Sequence, residues 1–186
     1  MQHRGTQTIT TERLVLRRFR LDDAALMFYN WANDAEVTRY LTWQPHGDIS
    51  VTTGVLRSWV NDYRQPDFYQ WAIEYEGTLI GAIGAHEPNE NLKSIAVGYC
   101  MGRSWWGRGI MTEALKAVIG YLFSIGANRI WAIHHVNNPA SGRVMEKSGM
   151  QYEGIIRQGG KNNIGVLHDV RQYAIVASDL ANRQIN

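Results

Sequence analysis

Apolar and polar positions change their spacing several times along the chain, and each change marks a predicted element. Short apolar or alternating runs predict strands, whereas apolar residues three and four positions apart predict helices. The predicted strands are residues 14–19, 69–75, 79–85, 94–101, 129–136, 151–157 and 166–176. The predicted helices are residues 22–32, 34–40, 50–63, 110–124 and 138–147, the first of them capped by Asp22 or Asp23.

Turn and capping residues indicate where these elements end. Residues 76–78 and 88–91 predict tight turns between successive strands, so those strands should pair antiparallel. Asn138 followed by proline predicts a helix start, while Gly126 and Gly149 predict helix ends. One helix, residues 110–124, joins two strands as a crossover. The order indicates an α+β or mixed α/β fold.

Composition restricts the class of protein. The chain has 186 residues, 45% hydrophobic and 19% charged, with a net charge of +2. These values fit one globular domain, expected at residues 11–178 between a polar N-terminal segment, 1–10, and a C-terminal tail, 179–186. The basic residues are scattered, which argues against direct nucleic-acid binding. No apolar stretch is long enough to span a membrane, and residues 1–11 lack a signal core, so a cytoplasmic location is expected.

The single cysteine and the distribution of histidines argue against a disulfide-stabilised protein and against a zinc protein. Cys100 is the only cysteine, which rules out an internal disulfide framework. No cluster of cysteine and histidine has the spacing of a zinc site, so no metal is expected.

The strongest chemical signal is a glycine turn between an apolar strand and a helix. Gly107-Arg108-Gly109 follows the strand that ends at Met101 and precedes the helix that begins at Ile110. Small residues and a helix N-terminus together favour an anion. The turn lacks the Lys-Ser/Thr of a Walker loop and the third glycine of a dinucleotide fingerprint. On these residues alone, a turn that serves only packing remains the alternative.

The residues around this turn resemble a known family. Gly98-Tyr99, followed by Trp106-Gly107-Arg108-Gly109-Ile110-Met111-Thr112-Glu113-Ala114, resembles motif A of the GCN5-related N-acetyltransferases (GNAT). The likeness is strongest to the RimJ/RimL group, which acetylates the N-termini of ribosomal proteins. That group's second motif is resembled by Asn138, Ala140-Ser141, residues 143–147 and Gly149-Met150. Two further stretches also look like this group: residues 11–17, and Asp169-Val170 with Tyr173. The resemblance spans residues 10–178.

The resemblance implies a fold and a donor. The fold would be a central, mostly antiparallel twisted sheet of about seven strands flanked by helices, with a splayed strand pair at the cofactor slot and Gly98 at the kink or at an ordinary bulge. The donor would be acetyl-CoA. Its pyrophosphate would lie on the backbone of residues 107–111, and its pantetheine arm would pair with residues 99–101. The implied cofactor-binding residues are Tyr99, Cys100, Met101, Trp106, Gly107, Arg108, Gly109, Ile110, Met111, Thr112, Asn138, Ser141, Arg143 and Lys147.

Two of these residues are also implied to be catalytic. Ser141 would donate a hydrogen bond to the departing thiolate, and Asn138 would bind the pantetheine. Purely structural roles remain the alternatives: Asn138 would be a helix cap, and Ser141 would be a solvated residue of the first helical turn. Ser104 stands where the superfamily often has Gln or Arg. Ala96 stands where the group often has a glutamate that acts as base, so the base is left unidentified.

Other side chains are weaker candidates. Adjacent His134 and His135 should face opposite sides of a strand, and a structural role is favoured for both. His86 could reach the acceptor side, whereas Tyr152 is expected to serve packing. Cys100 is not expected to act as a nucleophile.

The acceptor site is expected in the first half of the chain. Its aromatic candidates are Trp31, Tyr40, Trp43 and Trp59, and its candidate amine-binding charges are Glu36, Asp62 and Glu87. The hypothesis is transfer of an acetyl group to a primary amine, favoured to be a protein or peptide N-terminus, by direct attack in a ternary complex of a monomer or homodimer. The alternatives are a small-molecule amine acetyltransferase, acting on a polyamine, aminoglycoside or amino acid, and a non-catalytic acyl-CoA-binding module.

Overall fold

The computed structural model describes residues 1–179, which form one sheet with helices on both faces. The strands are β1 (Ile9–Thr10), β2 (Leu14–Arg17), β3 (Tyr69–Tyr75), β4 (Thr78–Asn89), β5 (Ser94–Met101), β6 (Arg129–His135), β7 (Gln151–Lys161) and β8 (Leu167–Val176). The α-helices are α1 (Ala24–Met27), α2 (Ala35–Thr38), α3 (Ile49–Asp62), α4 (Ile110–Ser124) and α5 (Pro139–Lys147). Short 3₁₀ turns cover Leu21–Asp23 and Arg103–Trp105, and a π-helical turn covers Phe28–Ala32.

The sheet has the predicted mixed character. Its eight strands follow the order β1-β2-β3-β4-β5-β6-β8-β7. Every neighbouring pair is antiparallel except β5 and β6, which are parallel and joined through α4. The predicted α+β class and the single crossover are therefore confirmed. None of the helices within residues 1–179 is long and apolar enough to cross a membrane.

The eighth strand comes from the N-terminal segment. Ile9 and Thr10 pair with Leu16 and Val15, although two residues are too few to produce a readable pattern. The segment is also tied to the rest of the chain, since the Gln2 N–H donates to the Ile125 carbonyl at 2.7 Å. Residues 1–10 therefore pack on the sheet rather than preceding it. Of the expected tail at 179–186, residues 180–186 lie outside the described residues.

Two local predictions are right only in part. Asp23 occupies the N-cap position of α1, but its side chain makes no capping bond to that helix and instead accepts from the Arg20 N–H at 2.8 Å, across the preceding 3₁₀ turn. The same carboxylate accepts two bonds from the Arg17 guanidinium, at 2.8 and 2.9 Å. The turn expected at 88–91 begins later, because β4 continues to Asn89 through a register shift beside Glu87, whose φ is +54°.

Other local signals are confirmed. Glu76 and Gly77 both have positive φ, +50° and +74°, as a two-residue type I′ hairpin turn requires. Gly126 and Gly149, at φ +90° and +92°, follow α4 and α5. The apolar face predicted for α4 is buried in the main core cluster, between the sheet and α4 and α5. A second cluster lies on the opposite face, under α1 and α3.

Strands β5 and β6 separate after a short paired stretch. Ser94, Ile95 and Ala96 pair with residues 129–131, and beyond Ala96 the two strands have no further partners in each other. This is the splayed pair that the resemblance implied. Gly98 is not at a bulge, since it pairs in regular register with Gly84, and the shift in this hairpin lies between His86 and Asn89. The gap opens instead at Ala96, opposite the start of α5.

Candidate active site

A cleft of about 410 Å³ occupies the gap between β5, α4, α5 and the α2 segment. It is lined by all the residues predicted to bind the cofactor except Arg108, namely Tyr99, Cys100, Met101, Trp106, Gly107, Gly109, Ile110, Met111, Thr112, Asn138, Ser141, Arg143 and Lys147. Residues that lie far apart in the chain therefore meet in one place.

The glycine turn presents backbone donors to the cleft. Gly107 and Gly109 have φ of +75° and +74°, a region that other residues enter only with strain. Gly109 is the N-cap of α4 and offers no side-chain acceptor, and the first bond of the helix runs from the Glu113 N–H to the Gly109 carbonyl. The N–H groups of residues 110–112 therefore lack partners in the helix. With the dipole of a 15-residue helix behind them, these donors have the geometry and the partial charge that favour an anion.

The opening motif of the chain supports this turn. Glu113 accepts hydrogen bonds from the Thr11 hydroxyl at 2.6 Å, the Arg13 N–H at 3.0 Å and the Arg13 Nε at 2.7 Å. A second guanidinium nitrogen of Arg13 donates to the Arg108 carbonyl at 3.2 Å. Desolvation would raise the pKa of Glu113, but these hydrogen bonds outweigh it and lower the pKa. The sequence analysis did not predict these contacts of Glu113 with Thr11 and Arg13, although all three residues lie within the motifs that resemble the family.

Arg108 takes a different position from the one predicted. Its side chain is exposed and does not line the cleft, and it is its carbonyl that contributes a contact, to Arg13. The basic side chains in the cleft are Arg143 and Lys147, one turn apart on α5. Neither forms an ion pair within residues 1–179, so both charges face the cleft without a protein counter-ion.

The splayed edge of β5 offers backbone groups to a ligand. The Lys93 carbonyl accepts from two N–H groups beside β6, at 2.7 and 3.2 Å, so odd-numbered residues of β5 face that side. Tyr99 and Met101 therefore face the gap, whereas Cys100 faces β4 and pairs with Ala82. The Trp106 indole N–H donates to the Met101 carbonyl at 2.7 Å, which leaves Tyr99 as the main backbone contact on this edge.

Tyr99, Ser141 and Asn138 meet at the middle of the cleft. The Tyr99 hydroxyl lies 3.0 Å from the Ser141 carbonyl, to which it donates, and 3.0 Å from the Ser141 Oγ. Asn138 Oδ1 accepts from the Ser141 N–H at 3.4 Å, so its capping role is confirmed. Burial raises the pKa of Tyr99, which keeps its proton at neutral pH. Burial likewise raises the pKa of the Cys100 thiol to about 12, in agreement with its rejection as a nucleophile.

The two histidines of β6 lie on opposite faces, as predicted. His134 faces α5 and is buried, its Nδ1–H donates to the His135 carbonyl at 2.8 Å, and its Nε2 has no partner. His135 faces the other side and stacks on His168 at 4.2 Å and against Tyr40 at 5.0 Å. Burial lowers the pKa of both. Neither lines the cleft, nor do His86 and Tyr152.

The predicted acceptor aromatics are mostly elsewhere. Trp31 and Trp59 pack around Phe19 in the second core cluster, and Trp43 packs on His46. Tyr40 lines the cleft, together with Glu36, Val37 and Leu41. Val37 and Leu41 were missed, because only tertiary packing shows which side of so short a helix faces the ligand.

Contacts at both ends hold the α2 segment beside the cleft. The Asp34 carboxylate caps α2 by accepting from the Glu36 N–H at 2.9 Å, and it accepts from the Arg103 Nε at 2.6 Å. At the other end, the Asn163 side chain in the β7–β8 loop donates to the Thr38 carbonyl at 3.2 Å. The α2 side of the cleft is therefore tied both to the loop after β5 and to the β7–β8 hairpin.

Comparisons with known proteins agree with this geometry. A family model described as an acetyltransferase (GNAT) domain matches residues 13–151. The chain is 33% identical over 171 residues to the uncharacterised N-acetyltransferase YoaA of Bacillus subtilis strain 168, covering 90% of this chain and 96% of that protein. It is 33% identical over 100 residues to the ribosomal-protein-serine acetyltransferase of Escherichia coli K12, covering 53% and 55%. The solved structure of Mycobacterium smegmatis RimJ with CoA-disulfide has the same fold, with a TM-score of 0.88 at 22% identity, covering 100% of this chain and 96% of that one.

Proposed function

This chain belongs to the GNAT acetyltransferase family and is an acetyl-CoA-dependent N-acetyltransferase, and we propose that its acceptor is the α-amine of a protein or peptide N-terminus. The observation that carries the proposal is the buried, apolar Ala96 at the mouth of the splay, 1% exposed, where no carboxylate can act as base. The E. coli relative that acetylates a ribosomal-protein serine supports the same acceptor class.

The residues of the cleft fit the donor. The N–H groups of residues 110–112 would hold a pyrophosphate, Arg143 and Lys147 would balance phosphate charge, and Tyr99 would pair with an amide of the pantetheine arm. When bound, acetyl-CoA supplies the activated acetyl group as a thioester. The positive φ values at Gly107 and Gly109 give the turn the shape that would let its backbone approach the pyrophosphate for these contacts.

The Tyr99–Ser141 pair would serve the leaving group. A thiolate with an ordinary pKa near 8.5 leaves more easily with a hydrogen-bond donor at its sulfur. Ser141 Oγ–H donates to the Tyr99 oxygen at 3.0 Å and would turn to the sulfur as the thiolate forms, while the Tyr99 hydroxyl keeps donating to the Ser141 carbonyl at 3.0 Å and holds the residue in place. Because Tyr99 stays protonated, it keeps this hold across the neutral pH range.

The acceptor class follows from the amount of deprotonation required. An α-amine with a pKa of about 8 is one-tenth neutral at pH 7, a penalty of about 1.4 kcal/mol. A lysine side chain with a pKa of about 10.4 has a penalty of about 4.6 kcal/mol at the same pH. In a site without a carboxylate at position 96, an α-amine can lose its proton to water, whereas a lysine side chain requires a base.

A panel of acceptors tests this proposal. Tripeptide amides with a free amino terminus, an Nα-acetylated lysyl peptide, spermidine, kanamycin and free amino acids would be compared by thiol release and mass spectrometry. We expect acetylation at the peptide α-amine and little at the blocked lysyl peptide. Preference for spermidine, kanamycin or the lysine side chain would contradict it and favour the other acceptor classes.

A variant of the glycine turn tests the donor site separately. Gly109→Asp adds a negative charge and a side chain at φ +74°, so acetyl-CoA binding measured by calorimetry should be lost. Gly126→Asp, also at positive φ but at the far end of α4, is the matched control and should bind as the wild type does. Unchanged binding in Gly109→Asp would remove the turn from the donor site.

A further inference from the structure

Charge is segregated along the cleft. Arg143 and Lys147 line one end, near the glycine turn, and Glu36 lines the end formed by the α2 segment. Among the described residues that line the cleft, Glu36 is the only carboxylate. Resting on the function proposed above, we propose that Glu36 binds the ammonium group of the acceptor and selects an acceptor with a single positive charge and an uncharged first side chain.

The Glu36 carboxylate is available for a ligand. Its only ion-pair partner within residues 1–179 is Arg39, at 3.8 Å, and both side chains are about three-fifths exposed, at 60% and 61%. An exposed pair of this kind contributes little. The neighbouring Asp34 is different, because Arg103 and the Glu36 N–H already occupy its carboxylate.

The backbone that carries Glu36 is fixed. The Asp34 cap and its Arg103 partner hold the start of the α2 segment, and Asn163 holds the Thr38 carbonyl at its end. A carboxylate on a tethered segment loses less freedom on binding than one on a loose loop. Glu36 is thus positioned as well as exposed.

The surroundings of Glu36 restrict the acceptor. Val37 and Leu41 line the same end of the cleft and present apolar surface, and Arg39 is the cation that pairs with Glu36, at 3.8 Å. A second cation on the acceptor would find no second carboxylate in the lining. An amino-terminal residue with a small or apolar side chain matches this pocket, whereas a polyamine does not. The bound ammonium loses its proton to water before attack, as an α-amine with a pKa of about 8 can do.

The test measures charge recognition at equilibrium, apart from turnover. The peptide Ser-Ala-Ala-amide and its Nα-acetyl form would be titrated by calorimetry into the enzyme saturated with CoA. We expect the wild type to bind the free-amine peptide about tenfold or more tightly than the acetylated one. Glu36→Gln should bind the two alike, and Glu36→Asp should restore part of the preference. Glu76→Gln, which changes an exposed carboxylate in the β3–β4 turn outside the cleft, is the matched control and should behave as the wild type.

The pH dependence gives a second readout that a purely structural role would not produce. Above about pH 8 the peptide loses its positive charge, so wild-type affinity for it should fall while that of Glu36→Gln stays level. Unchanged CoA binding in each variant would show that the fold and the donor site are intact.

Failure of this inference and failure of the proposed function look different. If wild type acetylates the peptide but Glu36→Gln retains the full preference for the free amine, the Glu36 assignment is overturned and the function stands. If wild type acetylates only another amine of the panel, the proposed acceptor class falls. The same titration with that amine and its acetylated product then decides the role of Glu36, and an unaltered preference in Glu36→Gln overturns it.

Discussion

Replacing Gly142 by alanine probes how closely α5 must approach β6 for Ser141 to be positioned. A Cβ at this residue would lie 2.7 Å from His134 Nε2 and 3.2 Å from its Cε1, well inside van der Waals contact. The ring has little room to move, because His134 is 6% exposed and its Nδ1–H is bound to the His135 carbonyl. The Tyr173 ring lies 5.6 Å away on the sheet. Helix α5 would therefore have to shift, and Ser141 with it.

Two opposing effects set the size of the change. Alanine is more favourable than glycine inside a helix by about 1 kcal/mol. Overpacking a buried contact costs roughly 1–3 kcal/mol. Since the contact at Gly142 is far shorter than side chains tolerate, we expect the clash to outweigh the helical gain, with a net loss of about 1 kcal/mol. For a chain of this length that corresponds to a fall in Tm of about 2–4 °C.

The assay combines unfolding with kinetics. Urea unfolding should show the loss of stability, and kcat should fall more than the acetyl-CoA affinity, because the shifted residue is the one proposed above to act at the leaving group. Gly120→Ala is the matched control: it lies exposed in α4, and an added Cβ would meet nothing within 4 Å. That variant should gain up to about 1 kcal/mol. If Gly142→Ala gains stability as Gly120→Ala does and keeps its kcat, the close-approach argument is refuted.

Three further predictions follow from the site. Tyr99→Phe removes the hydroxyl that holds Ser141, so steady-state kinetics should show kcat reduced by about tenfold with the KM for acetyl-CoA nearly unchanged. A KM that rises by the same factor as kcat falls would argue against a role at the leaving group. Glu113→Gln should destabilise the chain at pH 7, because the lowered pKa of Glu113 reflects stabilisation that is complete above its ordinary value of 4.5 and is lost as the pH falls through the folded value. Urea unfolding at pH 7 and pH 4 should show the gap between the two proteins closing on acidification, and a constant gap would refute the assignment. Cys100, with its pKa raised to about 12, should react with a thiol reagent at pH 8 more than a hundredfold more slowly in the folded than in the unfolded chain, whereas rapid reaction of the native protein would show that it is accessible and ionised.

Local sequence signals were reliable where a few neighbouring residues decide the outcome. The bounds of α4 match the prediction, because apolar residues at helical spacing and a following glycine are sufficient to define that helix. Asn138 caps α5 with a proline at the first helical position, as its residue types require. The type I′ turn at Glu76-Gly77 is a further case.

Predictions failed where a distant partner competed with a local preference. Asp23 stands at the N-cap of α1, yet the half-buried guanidinium of Arg17 and the Arg20 N–H take its carboxylate, which therefore makes no capping bond to that helix. Trp31 and Trp59 have the residue type of an aromatic pocket, yet they lie on two different helical segments whose inner faces both pack around Phe19. Composition cannot reveal which face of a helix the sheet will cover.

The sequence by itself determined the glycine turn, the start of α4 and the Asn138 cap, because each depends on backbone geometry within a short stretch. Tertiary structure alone decided how the cleft is assembled. It separated β5 from β6 after Ala96, brought Ser141 to the Tyr99 hydroxyl and left Glu36 as the carboxylate of the cleft lining. The β5–β6 pairing joins residues 35 positions apart and the Tyr99–Ser141 contact joins residues 42 positions apart. The free energy that selects these contacts comes from burying whole faces of helices against the sheet rather than from any local preference.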